Sequence, residues 1–404
     1  MYIERHIEEI LKETIKSFKV VLITGARQVG KSTMLKQIFS DSYNYVTLDD
    51  ILNLSLAKDD PKLFFENNTL PLIIDEVQYA PILFTEIKRI VDRSEFYGQI
   101  ILIGSQTFAL MQGVVETLAG RVAILELNGL SFREINGFKY KEPFVPTSSY
   151  FNKLEEISKK DLWEVIHRGD MPELYKNEFI NLDIFYGSYV KTYIERDVRN
   201  ILNIKDLDIF SKFLVSLASR TGSLLNYHNI AKEVGKNEKT IKNWIKVLES
   251  SGIITLVRPF TNNAIKRVVE TPVIYFLNTG LVSYLLRWTS KETLQNGAFS
   301  GQILETYVVS EIIKSFKNNG YINPPLSFYR DFDGQEIDLI IEKDGFLFPI
   351  EIKKTMNPKK DMAKNFQKLN KAFGFEVGNG VILSLLKEKV KLSDKLYAYP
   401  IYKI

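Results

Sequence analysis

Between residues 20 and 127, short apolar runs alternate with stretches of helical period. The runs at 20–24, 45–48, 72–75, 100–104 and 122–127 are apolar at nearly every position instead of every second one. A strand of that kind is covered on both faces, so the pattern predicts a parallel sheet packed between helices. The stretch "KYKEPFVPTSSY", with Pro143 and Pro146, reads as a linker or an irregular lid. Helical patterns then dominate from 154 to 250. Strands return after Gly252, followed by a helix around 301–316 and a hairpin within 336–354.

Two of these later segments carry a finer pattern. "YHNIAKEVGKNEKTIKNWIKVLESSGIITLV" reads as helix, glycine turn, second helix and strand. Ile230, Ala231 and Val234 form one apolar stripe, and Ile241, Trp244, Ile245 and Leu248 form the next, at spacings of three and four. This is the layout of a winged helix. The outer face of its second helix offers Lys239, Lys242, Asn243 and Lys246, amines for phosphates and an amide for a base edge, which makes DNA the candidate partner. A plain solvated face reads the same way. In "EIDLIIEKDGFLFPIEIKK", alternation puts Ile337, Leu339 and Ile341 on one face of the first strand and Glu336 and Asp338 on the other. Glu351 and Lys353 likewise oppose Ile350 and Ile352 in the second.

Composition narrows the chemistry. A chain of 404 residues, 45% hydrophobic and 25% charged, is long enough for two or three globular domains. The net charge of +4 permits nucleic-acid contact without demanding it. Cysteine is absent and histidine occurs only at 6, 167 and 228, which excludes thiolate sites and makes histidine-rich metal sites improbable. Metal chemistry must therefore rest on carboxylates, which favours Mg²⁺. The charged start "MYIERHIEEI" is no secretory signal and no apolar run is long enough to span a bilayer, so a cytoplasmic protein without a membrane partner is expected.

The most specific motif is "GARQVGKST". Gly25, Gly30, Lys31 and Ser32 stand at Walker A spacing, between a buried strand and a helix. The loop from Gly25 through Ala26, Arg27, Gln28, Val29, Gly30, Lys31 and Ser32 to Thr33 is thus the candidate cradle for ATP. Its N–H groups face the phosphates, Lys31 adds a point charge, and the Ser32 hydroxyl is placed to hold Mg²⁺. In "PLIIDEVQ" the strand ends in Asp75, the second Mg²⁺ ligand, and Glu76 is the candidate to polarise the attacking water. Ser105, closing the strand "IILIG", is placed as a sensor of the γ-phosphate. Arg121 reads equally as a structural ion pair or as a charge offered to the nucleotide of its own or a neighbouring subunit, which admits a homo-oligomer.

"ITGARQVGKSTML", "LIIDEVQYAP", "GSQ" and "LAGRVAILELNGLSFREI" together resemble the AAA-type ATPases of prokaryotes that carry an uncharacterised C-terminal domain. The likeness covers nearly the whole chain, including the helical motif "YVKTYIERDVRNI", whose Glu195, Arg196, Asp197 and Arg199 read locally as salt links within a helix. Residues 301–404 resemble the PD-(D/E)xK nuclease superfamily. That resemblance implies Mg²⁺ on Asp338 and Glu351, a further ligand from Glu305, and Lys353 at the attacking water, with Glu336 able to replace one acid. The expected fold is a multidomain α/β chain: a P-loop ATPase at 1–140, a helical lid at 141–205, a winged helix at 206–272 and a restriction-endonuclease-like domain at 273–404. The expected function is Mg²⁺-dependent ATP hydrolysis joined to DNA binding or cleavage. The alternative is a nucleotide-driven switch whose C-terminal domain is inert.

Overall fold

The computed structural model describes residues 2–104, 113–114, 116–152, 160–194, 207–261, 271–331, 333–371 and 374–404. Strands β1 (Val20–Thr24), β2 (Asn44–Thr47), β3 (Leu72–Asp75), β4 (Ile100–Ile103) and β5 (Val122–Glu126) form one sheet in the order β2-β3-β4-β1-β5. All its pairings are parallel. Strands β1, β3 and β4 are buried at every position, as their unbroken apolar runs require, while edge strand β2 is exposed at its start. Because the strands share one direction, their carboxyl ends line one edge of the sheet. Register sets Leu72, Ile100 and Val20 side by side, so β1 and β3 end together at that edge. Helix α1 (Lys31–Phe39) starts there, beyond Gly30, whose φ of 93° is left-handed. The sheet with its helices resembles a P-loop NTPase fold.

Short helices follow, among them α2 (Pro172–Lys176), which returns to the carboxyl edge of the sheet. Next come α3 (Leu207–Ala218), β6 (Ser223–Leu224), α4 (Tyr227–Val234), α5 (Glu238–Ser250), β7 (Ile254–Pro259) and β8 (Val273–Phe276). Trp244 of α5 packs edge-on against Phe210 and Phe213 of α3, with ring centroids 5.3 and 5.1 Å apart. The three strands are antiparallel, with β8 between β6 and β7. The border expected at 272/273 therefore falls just before a strand that completes this small sheet.

The rest of the chain is α6 (Ser300–Lys317) and the strands β9 (Leu326–Arg330), β10 (Glu336–Lys343), β11 (Phe346–Lys353), β12 (Glu376–Val377), β13 (Gly380–Ser384), β14 (Val390–Ser393) and β15 (Leu396–Pro400). The expected hairpin is β10 and β11, joined through Asp344 and Gly345 at φ 52° and 80°. Two successive positive φ values make the tight turn whose twist suits antiparallel strands. Strand β9 pairs with β10 on one side and, in parallel, with β7 on the other. The small antiparallel sheet and the C-terminal mixed sheet are thus continuous. Among the described residues, no helix is long and apolar enough to cross a membrane.

Helix α6 runs through the middle of the molecule, and most of its 18 residues are buried. Its polar side chains reach in different directions. Thr306 meets Thr221 at 2.9 Å, and Ser310 donates to the Leu277 carbonyl at 2.7 Å. Glu311 accepts from the Phe132 N–H at 2.7 Å. Lys314 is paired with Asp170 at 2.8 Å and Glu311 at 2.9 Å, with all three side chains out of solvent. Removing one member of such a group strands the others in a low dielectric, at a cost of about 3–5 kcal/mol. Lys314→Met, which keeps the volume, is therefore expected to lower the chemical denaturation midpoint sharply. Adding Glu311→Gln and Asp170→Asn should restore part of it, because no unpaired charge then stays buried.

Candidate functional site

The loop after β1 is shaped by contacts that admit few other residues. A Cβ on Gly25, at φ 138°, would lie 2.0 Å from the Leu127 carbonyl oxygen. Lys31 curls back over the loop, its Nζ donating to the carbonyls of Gly25 at 2.9 Å and Ala26 at 2.8 Å. The Ser32 hydroxyl donates to Asp75 Oδ2 at 2.6 Å, and the Glu76 N–H donates to Asp75 Oδ1 at 2.9 Å. The Tyr45 hydroxyl, from β2, donates to the same Oδ2. Loop and acidic strand end, 43 residues apart in sequence, therefore meet directly.

Glu76 follows with a φ of 56°, a left-handed backbone that a residue with a side chain seldom adopts outside functional sites. Its carboxylate accepts from the Gln78 amide. Burial raises its pKa, against the opposing pull of Gln78 and Arg27. A carboxyl shifted upward is a stronger base once ionised, which suits proton abstraction from water.

These groups line a cleft of about 540 Å³. Arg27, Gln28, Gly30, Lys31, Ser32, Thr33, Asp75 and Glu76 form one wall, together with Asp49 and Tyr79. The opposite wall comes from the helical segment: Pro172, Glu173, Lys176 and Phe185. Of the expected cradle, Gly25 and Ala26 serve through their carbonyls, and Val29 is buried beneath the loop.

Other expectations fare differently. Ser105 lies outside the described residues, as do Glu195, Arg196, Asp197 and Arg199. Arg121 precedes β5, whose Val122 is level with Val20 at the start of β1. It therefore sits at the amino edge of the sheet, away from the cleft, and pairs with Asp92 at 3.0 Å. A role for Arg121 at the nucleotide of its own subunit is corrected by this placement. Sequence reasoning also passed over Arg5. Its guanidinium, almost wholly buried, donates to the carbonyls of Val29 at 2.8 Å and Asn128 at 2.7 Å and pairs with Glu134 at 3.1 Å. Nothing near position 5 signals partners 24 and 123 residues away. Tyr45 and Lys176 were missed for the same reason.

The C-terminal carboxylates gather on one face of β10 and β11. Asp338 accepts from the Ile352 N–H at 2.7 Å, and Lys353 Nζ lies 3.4 Å from Asp338 and 2.6 Å from Glu351. Glu305, on α6, accepts instead from the Tyr275 hydroxyl at 2.7 Å. Burial and the Asp338 charge push Glu305 up to about 8 and Glu351 up to about 7, and burial raises Asp338 as well. Glu351 Oε2 is buried with no hydrogen-bond partner. Even so, among the described residues no three acids or histidines converge closely enough to hold a metal ion. Asp338, Glu351 and Lys353 come together directly, while Glu305 is hydrogen-bonded to Tyr275 and feels the Asp338 charge. On α5, Lys239, Lys242, Asn243 and Lys246 are all exposed, with the Lys242 ammonium 5.2 Å from the Tyr227 ring centre.

Residues 17–136 match an AAA domain family. Residues 159–292 and 300–404 match two domains of unknown function, DUF8612 and DUF4143. Uncharacterized proteins of Mycobacterium bovis and Mycobacterium tuberculosis are each 27% identical over 356 residues, covering 86% of this chain and 73% of theirs. An uncharacterized protein of Methanocaldococcus jannaschii is 22% identical over 417 residues, covering 92% of this chain and 84% of its own. Among solved structures, a Walker-type ATPase of Pyrococcus abyssi superposes with a TM-score of 0.45 and 14% identity, over 70% of this chain and 96% of that one. With the loop, the acidic strand end and the sheet order in place, the match over residues 17–136 makes the amino-terminal part of this chain an AAA-type P-loop ATPase domain.

Proposed function

We propose that this protein binds and hydrolyses Mg²⁺-ATP in the cleft between the P-loop and α2, and that it engages DNA through α5. The observation that carries the first half is the Ser32–Asp75 contact at 2.6 Å beside Lys31. It joins the two ligands that Mg²⁺-nucleotide needs, in a loop where a Cβ at Gly25 would not fit. Lys31, now resting on loop carbonyls, exchanges them for phosphate oxygens. Ser32 and Asp75 would hold the Mg²⁺, which would supply positive charge to the reacting phosphates. Glu76 takes the proton of the attacking water, aided by its raised pKa. Pro172 and Phe185 exclude bulk water from the opposite side.

The DNA half rests on the order of elements from α3 to β8, helix-strand-helix-helix-strand-strand, with β8 central in the sheet. That order supports a winged helix running to Phe276, with α5 as the element that enters a groove. From α6 through the meander β9-β10-β11 to parallel β13, the next unit supports a restriction-endonuclease-like fold. A second reading keeps that unit inert, and one observation favours it: among the described residues no group of three acids or histidines could hold a metal ion.

ATP turnover and DNA retention test both halves. Lys31→Ala is expected to abolish ATP turnover while leaving DNA binding in place. Lys242→Glu with Lys246→Glu should weaken DNA binding and flatten its dependence on salt by roughly one to two units of slope. Normal turnover in Lys31→Ala would contradict the ATPase reading, and an unchanged salt slope would contradict the DNA reading. With Mg²⁺ and DNA, cutting that Asp338→Ala leaves unchanged, or no cutting by the wild type, would establish the inert reading.

The carboxylates also predict a pH dependence in the absence of divalent ions. Glu305 is raised from 4.5 to about 8, so between those values the folded state holds a proton that the unfolded state has lost. Its contribution to stability is complete below pH 4.5 and is lost as pH rises through about 8. In EDTA, the melting temperature of the wild type should fall over this range by several degrees more than that of Glu305→Gln. Parallel curves would contradict the shift.

A further inference from the structure

The Asp75 carboxylate is held from three sides and is almost completely buried. Ser32 reaches Oδ2 from α1, and the Glu76 N–H caps Oδ1. The third contact comes from Tyr45, whose hydroxyl donates to Oδ2 from the neighbouring edge strand. Strand register explains the reach. Thr47 lies directly opposite Asp75, and Tyr45, two residues earlier, shares its face. A long aromatic side chain spans that diagonal.

The ring is fixed from its other side. Lys36 is four residues after Ser32 on α1, so both project from one helical face. Its ammonium sits 4.0 Å from the centre of the Tyr45 ring. Ser32, Asp75, Tyr45 and Lys36 therefore close a circuit between the helix after the P-loop and the edge strand. A cation over the ring draws electron density from the phenol and makes its hydroxyl a better donor.

We propose that Tyr45 is a positioning residue for the Mg²⁺ site, its hydroxyl holding Asp75 turned toward Ser32. The inference rests on the ATPase reading above and adds a residue that no Walker motif contains. Tyr45 acts only through Asp75. With a cation on the Ser32 oxygen, the Ser32 proton would remain available to Asp75, and Tyr45 would hold that carboxylate in place. Groups behind a metal ligand commonly account for about 10–100-fold in metal affinity.

The test uses the full chain and a fluorescent, nonhydrolysable ATP analogue, titrated first in EDTA and then with increasing Mg²⁺. Tyr45→Phe keeps the ring and its contact with Lys36 but removes the donor. It should bind the analogue in EDTA as the wild type does, while the Mg²⁺ midpoint for tight binding rises about tenfold. Lys36→Met should move the midpoint in the same direction by less. An unchanged midpoint in Tyr45→Phe overturns the proposal, and so does an equal loss of affinity in EDTA and Mg²⁺, which marks a packing role alone. Wild-type binding that ignores Mg²⁺ would overturn the ATPase reading, and the Tyr45 role with it.

Discussion

The buried ammonium of Lys314 ties together three parts of the chain that lie far apart in sequence. Asp170 comes from the helical segment, Glu311 from α6 itself, and the Leu130 carbonyl, 3.2 Å from Nζ, from the end of the P-loop sheet. Burial disfavours the charged amine, yet Asp170 and Glu311 outweigh that penalty and hold its pKa above the ordinary value. Groups of this kind seldom add net stability over an apolar core of equal volume. Their effect is geometric, because only one arrangement satisfies every member. Gly129 is part of that arrangement: a Cβ there would lie 2.3 Å from the Asp170 carboxyl carbon.

From this point the contacts lead to both candidate sites. Toward the cleft, Arg5 joins the Asn128 carbonyl to that of Val29 inside the P-loop, so the loop and the Asp170 anchor meet along the backbone of 128–130. Asp170 is followed almost at once by α2, the opposite wall of the cleft. Toward the C-terminal sheet, α6 carries Lys314 near one end and Glu305 nearer the other. Lys317 pairs with Glu126 at the tip of β5. One helix thus spans the distance from the nucleotide edge of the first sheet to the carboxylates of the second.

The parts legible in the sequence were those fixed by local pattern. Unbroken apolar runs gave the five strands, glycine and lysine spacing gave the loop, and an Asp-Gly pair gave the hairpin. The apolar stripe of α5 left Lys242, Asn243 and Lys246 outside, as its period of three and four requires. What was not legible depends on partners far apart in sequence. Leu304, Val308 and Ile312 stand four residues apart, a spacing that by itself makes a helix with one apolar face. Helix α6 is instead buried nearly all round, because Glu311, Lys314 and Ser315 find partners up to 184 residues away. The hydrogen bond from Tyr275 to Glu305, and the role of Arg5 under the loop, are of the same kind. Arg121 shows the converse limit: its motif was plain, but only strand register reveals which edge of the sheet it occupies.

The central claim is that nucleotide is held between two walls, the P-loop with its acidic partner and the helical segment anchored by Lys314. Hydrogen exchange of the full chain, with and without Mg²⁺ and a nonhydrolysable ATP analogue, measures this directly. The account predicts that amides in 25–33, in 75–79 and in 172–185 slow together on nucleotide addition. Slowing confined to the first two segments, with 172–185 exchanging as before, would contradict it.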